Sequence, residues 1–256
     1  INSYAKENDC LTGVVTAYGY VNGNAVYAFS QDKSINNGAV GPAHAAKIAK
    51  LYSLAAKTGT PVIGIHDSNG AFVNGTAESL TAYGELINAA SVISGVVPQI
   101  SVVAGTCAGS AALFACSSDF IIMTKDAEFF MTPAFTKENS GSASDAAANG
   151  IAAAVCDDDK AAIEKAKELI NLMPVNNLAP LPMFEYNEPE TAVSADFNSL
   201  INGVCDAESI IELYAEFGKA SYTALATVNG ATVGIAATNK TSDKLTDADC
   251  SKLSRF

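Results

Sequence analysis

Residues 63–71, IGIHDSNGA, and residues 102–111, VVAGTCAGSA, each pass from an apolar run into a turn of Gly, Ala, Ser and Asn. Both stretches read as parallel strands ending at the edge where α/β proteins bind ligands. Small side chains there let a ligand approach the backbone closely. Gly109 and Ser110 are expected at a helix N-terminus, where N–H groups lack intrahelical acceptors and the dipole is positive. Such donors suit an enolate or another oxyanion. Removing one oxyanion donor costs roughly 3–4 kcal/mol in a known enzyme, so backbone alone can carry a large catalytic effect. The alternative, that Gly and Ala merely let a helix pack tightly on the sheet, stays open at this point.

Other chemistries find less support in the residues. The chain has no Gly-x-Ser-x-Gly elbow and no phosphate loop of the G-x-x-x-x-G-K type, and neither Ser68 nor Ser110 has a defensible His and Asp pair. Cys107 sits in the second turn, where a helix N-terminus lowers a thiol pKa, but a small buried residue is the usual role of cysteine. His66 reads as a hydrogen-bonded core or rim histidine in preference to a base. His44, at the start of a long helix, is open to ligand contact or simple solvation. Asp157 to Asp159 read as a helix cap and dipole partner, and no metal site is expected.

The elements that must position these turns follow from periodicity. Residues 12–30 alternate apolar residues around Asn22-Gly23, which predicts a β-hairpin. A helix closing at Gly59 follows a Gly-bearing loop, and then come a buried strand, a second helix, the strand PQISVVAG, a helix from about Gly109 and the strand DFIIMT. That alternation implies right-handed crossovers and a mostly parallel sheet, so the class is α/β. Downstream, the pattern predicts a small-residue helix, a short strand, a helix capped at Asp157 to Asp159 and ended by Pro174, and a proline-rich linker. Residues 207–239 then predict a helix and a second hairpin. Val228-Asn229-Gly230 repeats Val21-Asn22-Gly23 at an offset of 207 residues. The second copy therefore reads as the opening of another unit with little room before Phe256.

Composition bounds the classes. With 49% hydrophobic and 16% charged residues the 256-residue chain can bury a substantial core. A net charge of −12 argues against nucleic acid and anionic membrane surfaces as partners. Six cysteines without C-x-x-C pairing suggest reduced thiols and a cytoplasmic protein. The N-terminus lacks a signal-peptide pattern, no apolar run reaches the ~18 residues of a spanning helix, and no direct membrane insertion is expected. Asn74-Gly-Thr and Asn239-Lys-Thr match a glycosylation pattern that a cytoplasmic protein would not use.

Four segments, GVVTAYGYVNGNAVYAFSQD, PAHAAKIAKLYSLAAKTGTPVIGIHDSNGA, SGVVPQISVVAGTCAGSAALFACSSDFIIM and LINLMPVNN, together resemble the carboxyltransferase component of biotin-dependent acyl-CoA carboxylases and the related sodium-pump acyl-CoA decarboxylases. The resemblance covers nearly the whole chain. It implies a crotonase-like superhelix of ββα units, with residues 1–206 forming the acyl-CoA-binding domain and residues 207–256 the first elements of a second, truncated repeat. The implied activity moves CO2 between carboxybiotin and the α-carbon of a short acyl-CoA of the propionyl-CoA or methylmalonyl-CoA type. In such enzymes the biotin ureido anion takes the α-proton, so no side chain need act as base. The implied partners are a biotin carboxyl carrier protein, a second carboxyltransferase domain and further copies of the chain, in the cytoplasm or at the periphery of a membrane decarboxylase complex.

By the same resemblance Gly109 and Ser110 correspond to a pair of N–H donors, and Gly70 with Ala71 to the other turn of an oxyanion hole. The loop Asn37, Gly38, Ala39, Val40, Gly41, with His44 and Lys47 beyond it, matches the region that meets the CoA nucleotide, Lys47 being the expected phosphate partner. The family usually has Gly at the positions of Asn69 and Ser110, and often Arg at that of Phe72. Those departures support an alternative, a non-catalytic scaffold subunit of such a complex. A self-contained crotonase-type hydrolase or isomerase lacks suitably placed paired carboxylates.

Overall fold

The computed structural model describes residues 12–132, 140–241 and 243–256. The chain opens with strands β1 (Val14–Val21) and β2 (Asn24–Gln31), paired antiparallel in full register. Asn22 and Gly23 have φ of +48° and +85°, the two positive values that a two-residue hairpin turn requires. Helix α1 (Pro42–Thr58) starts behind Gly41 with proline at its first position, and it stops at Gly59 in the left-handed conformation. Then follow β3 (Val62–Ser68), α2 (Thr76–Val92), β4 (Gln99–Ala108), the short helix α3 (Ser110–Ala115) and β5 (Phe120–Thr124). Strand β6 (Glu128–Phe130), helix α4 (Ala143–Ala148), β7 (Ala154–Cys156) and α5 (Asp159–Leu172) complete this part. Asp158 caps α5, its carboxylate accepting the Ala161 N–H at 2.8 Å.

The main sheet runs β1-β2-β3-β4-β5-β7, parallel from β2 onward, with β6 beside the far end of β4. The central strands β3, β4 and β5 are largely buried on both faces and carry apolar runs, whereas the edge strands β1 and β7 are partly exposed. In β5, Ile121 and Met123 join the core beneath α1, α2 and α3, whereas Ile122 enters the opposite core with Val102, Ile63 and the α5 residues Ala166, Leu169 and Ile170. The result is three layers, helices over sheet over α5.

Beyond the proline-rich segment come α6 (Phe197–Val204), β8 (Ile211–Leu213), β9 (Tyr222–Val228), β10 (Ala231–Ala237) and α7 (Asp247–Arg255). The three strands form a separate antiparallel sheet. The second hairpin falls on Asn229-Gly230, with φ of +51° and +77°. Its turn is held by the buried Asp206, whose carboxylate accepts the N–H groups of Asn229 and Gly230 at 2.8 and 2.7 Å and the Thr227 hydroxyl at 2.7 Å. The helix expected after residue 207 is instead strand β8. Ile211 and Leu213 alternate onto the α5 core, and pairing with β9 there outweighs helical propensity.

Candidate functional site

Two local irregularities shape the carboxyl edge of the main sheet. Between the pairs His66–Val103 and Ser68–Cys107, β3 contributes only Asp67 while β4 contributes three residues, Ala104 to Thr106. The bulge leaves the Thr106 N–H without a strand partner, and the Asp67 carboxylate accepts it at 3.0 Å. Strand β4 then outruns the five-residue β5, and Thr106 to Ala108 pair with Glu128 to Phe130 of β6.

That extension corrects the expectation for Gly109. Its N–H continues the ladder and donates to the Phe130 carbonyl at 2.8 Å, so it does not face a ligand. Ser110, the first residue of α3, has an N–H with no acceptor among the described residues. The other turn repeats the arrangement. Gly70 donates its N–H to the Ser68 hydroxyl at 3.1 Å, and its carbonyl accepts the Val40 N–H at 2.9 Å. Ala71 makes a parallel bridge with Val40, in which Val40 bonds to Gly70 and Phe72. The bridge turns the N–H of Ala71 to the opposite side, where no acceptor is found among the described residues. A Cβ on Gly70 would lie 2.9 Å from the Ala108 carbonyl oxygen and 4.0 Å from the Ser110 nitrogen, so the two turns abut. The unengaged donors are thus Ala71 and Ser110, one from each predicted pair.

Two clefts open beside this junction and share Asn69. One, of 560 Å³, is lined by Lys33, Thr106, Ala108, Gly109, Glu128 and Met131 among others. The second, of 270 Å³, is lined by Asn37, Ala39, Ala71 and Phe72 among others. Of the predicted nucleotide loop, Asn37 and Ala39 therefore reach a cleft, while Gly38 and Val40 are buried behind it and Gly41 precedes α1. The Asn37 carbonyl accepts the Asn69 N–H at 3.1 Å, which ties the loop to the β3 turn.

His44 and Lys47 do not join them. His44 is 3% exposed on the core side of α1, with Nε2 3.3 Å from the Gln31 amide. Burial depresses its pKa to about 4. Lys47 donates to the Val14 carbonyl at 2.7 Å, away from both clefts. Helical period put them on the face that packs on the β1–β2 hairpin, which no local signal in α1 distinguishes from a ligand face. His66 is a core histidine as expected: it is 1% exposed, bonds Ser101 Oγ at 3.0 Å and meets Phe29 and Phe114 edge-on. Burial lowers its pKa to about 4. Cys107 is fully buried, and desolvation pushes its thiol far above the usual range, so it is no nucleophile. No set of three or more His, Cys, Asp or Glu among the described residues is placed to hold a metal, and no described helix is long and apolar enough to cross a membrane. The five described cysteines are unpaired, and Cys10 lies outside the described residues.

Sequence reasoning missed Lys33, which stands after β2 and lines the larger cleft. Its Nζ lies 3.4 Å from Asp67 Oδ1 and 3.3 Å from Thr106 Oγ1. Nothing local to DKSINN announces that contact, because Asp67 and Thr106 come from β3 and β4. A further cleft of 450 Å³ between α5 and the second sheet is lined by Glu168, Glu185 and Glu208 against the single cation Lys165. That balance disfavours an anionic ligand.

Comparison with known proteins places the chain in a family. A model of the family described as "Carboxyl transferase domain" matches residues 2–252. The methylmalonyl-CoA decarboxylase subunit alpha of Propionigenium modestum is 35% identical over 250 residues, 88% of this chain and 48% of that protein. The propionyl-CoA carboxylase beta chain of Roseobacter denitrificans is 34% identical over 251 residues, 88% of this chain and 49% of that one. Among solved structures, a transcarboxylase 12S with hydrolysed methylmalonyl-coenzyme A bound superposes with a TM-score of 0.83 at 33% identity, covering 89% of this chain and 50% of that one. The chain spans about half the length of the curated relatives it matches.

Proposed function

The chain belongs to the carboxyl transferase domain family, and from that premise we propose that it is the acyl-CoA-binding half of a carboxyltransferase acting on a short acyl-CoA of the propionyl-CoA or methylmalonyl-CoA type. The observation that carries the proposal is the junction of the β3 and β4 turns, where the Ala71 and Ser110 N–H groups lack acceptors among the described residues, Ala71 lining one of the two clefts that share Asn69 and Gly109, next to Ser110, lining the other. Two backbone donors on abutting turns match a thioester oxygen that becomes an enolate oxygen when the α-proton leaves. Because these donors are fixed by the sheet, they stabilise developing charge without reorganising. His44 and His66 are buried, and burial favours their neutral forms, so we assign this half charge stabilisation and no histidine base.

Carboxybiotin, carried on a biotin carboxyl carrier protein, would supply the carboxyl group and the basic ureido nitrogen. The pair of unengaged amides seats one oxyanion, and we assign it to the thioester; the seat for biotin belongs, on this reading, to the second domain of a partner copy in an oligomer. Residues 207–256, with their repeat of the Val-Asn-Gly hairpin, are the opening of that second domain. Asn37 and Ala39 line the side of the junction assigned to the CoA arm, with Phe72 packing against it in place of a cation.

Titration calorimetry with propionyl-CoA tests the reading. Saturable binding that Ser110→Pro weakens and Ser110→Ala does not supports it, since proline is tolerated at the first position of a helix and removes the N–H along with the hydroxyl, whereas alanine removes the hydroxyl alone. No binding at millimolar ligand would reject it in favour of a scaffold subunit, the role that Asn69, Ser110 and Phe72 otherwise suggest.

A further inference from the structure

Lys33, Asp67 and Thr106 form a polar triangle on the wall of the larger cleft, next to Gly109, and the mechanism above does not use it. Its parts are held from below. Gly105 has no side chain because the Asp67 carboxylate occupies the place a Cβ would take. With the Thr106 N–H also bound to Oδ1, the carboxylate is fixed at the β4 bulge. Asp67 in turn fixes the Lys33 ammonium, whose side chain is 49% exposed and therefore open to the cleft.

Counting donors shows what this arrangement leaves over. An ammonium has three N–H groups. The Thr106 hydroxyl takes one and the ion pair with Asp67 occupies at most one more, so at least one is left without an acceptor among the described residues. The Thr106 hydroxyl accepts from Lys33 and so keeps its own hydrogen for donation. Two adjacent donors, one of them cationic, match the two oxygens of a carboxylate. Lys33 is also the only cation lining either cleft among the described residues. The Asn69 side chain, at the boundary of the two clefts, offers an amide as a further donor.

We propose that Lys33 and Thr106 seat the carboxylate of a carboxylated acyl-CoA, making Lys33 a residue that discriminates the carboxylated thioester from its uncarboxylated counterpart. The proposal rests on the acyl-CoA reading of the same junction. Placed there, the carboxylate carbon is held beside the turns that hold the thioester, and the charge of the departing or arriving group is met by an ammonium already fixed in position. Glu128 opposes this. It pairs with Thr106 across the β4–β6 ladder and lines the same cleft, so its charge weakens the seat without filling it.

The test is calorimetry on the assembled protein with methylmalonyl-CoA and propionyl-CoA, which carry the same nucleotide. Lys33→Met is expected to weaken methylmalonyl-CoA about tenfold, the loss typical of one hydrogen bond to a charged group, and to leave propionyl-CoA unchanged. Lys33→Arg should retain most of the discrimination, and equal melting temperatures will show that the variants fold. Equal weakening of both ligands would assign the ammonium to the nucleotide and overturn the carboxylate seat while leaving acyl-CoA binding intact. No change with either ligand would overturn it as well. If neither thioester binds the unmodified protein, the carboxyltransferase reading fails and the seat falls with it.

Discussion

The turns after β3 and β4 solve one problem with opposite tolerances. Each engages the amide of its glycine within the protein, Gly70 to Ser68 and Gly109 to Phe130, and each leaves the next amide, Ala71 or Ser110, without an acceptor among the described residues. Yet Gly70, with φ of +98°, presses against the Ala108 carbonyl, whereas Gly109, with φ of +58°, has nothing nearer to a built Cβ than the Met131 carbonyl at 3.8 Å. Gly70 is therefore required by space and by conformation, Gly109 by conformation alone. The lesson is that a glycine in a reactive-looking turn need not be the donor. It permits the bend that exposes its neighbour.

The largest expected effect tests that division directly. In the complete carboxyltransferase, Ser110→Pro should lower the transfer rate by roughly 10²–10³, the loss seen when one oxyanion donor is removed. A steady-state assay that finds the rate unaltered would break the pairing of the two turns. Next in size, Gly70→Ala should destabilise the fold by about 3 kcal/mol through clash and a positive φ, and Gly109→Ala by about 1–2 kcal/mol through φ alone. Urea unfolding of the two variants measures the difference, and equal losses would contradict the contrast in space.

A smaller effect concerns the support shared by both turns. His66 of β3 bonds Ser101 of β4 and has a pKa near 4 when folded, against about 6.5 for an exposed imidazole. The unfolded chain then binds the extra proton first. Stability contributed by the neutral ring is present above pH 6.5, declines as pH falls toward 4 and changes no further below that. His44 behaves in the same sense. Replacing His66 by Gln should flatten the decline between pH 7 and pH 5; an unaltered slope in denaturant midpoints would remove His66 from the account. Smallest of all, Glu128→Gln should tighten methylmalonyl-CoA by about two- to fivefold, a surface-charge effect, with propionyl-CoA unaffected. A calorimetric ratio that does not move would show that Glu128 does not reach the seat.

Much of the frame was legible because its signals are local. Asn22-Gly23 sets its own hairpin, Gly41-Pro42 and Gly59 bound α1, and the unbroken apolar run of Ile121, Ile122 and Met123 marks a strand buried on both sides. The site was legible only as a location. The acceptor for Gly109 is Phe130, on a three-residue strand too short for periodicity to register, and the partner of Lys47 is Val14, on a different element. The helix expected past residue 207 failed for a related reason: Ile210, Ile211 and Tyr214 fit a helical period while Ile211 and Leu213 fit a strand, and the pairing edge of β9 decided between them.

By itself, then, the sequence determined the alternation of strands and helices and the two glycine-bearing turns at the sheet edge, since each depends on residue type and spacing within one segment. Only the tertiary structure decided which amides stay unengaged, which cations reach a cleft and which histidines are buried. Those outcomes depend on the length of β4 relative to β5 and on the two-residue excess at the β4 bulge, and they arise when distant segments meet.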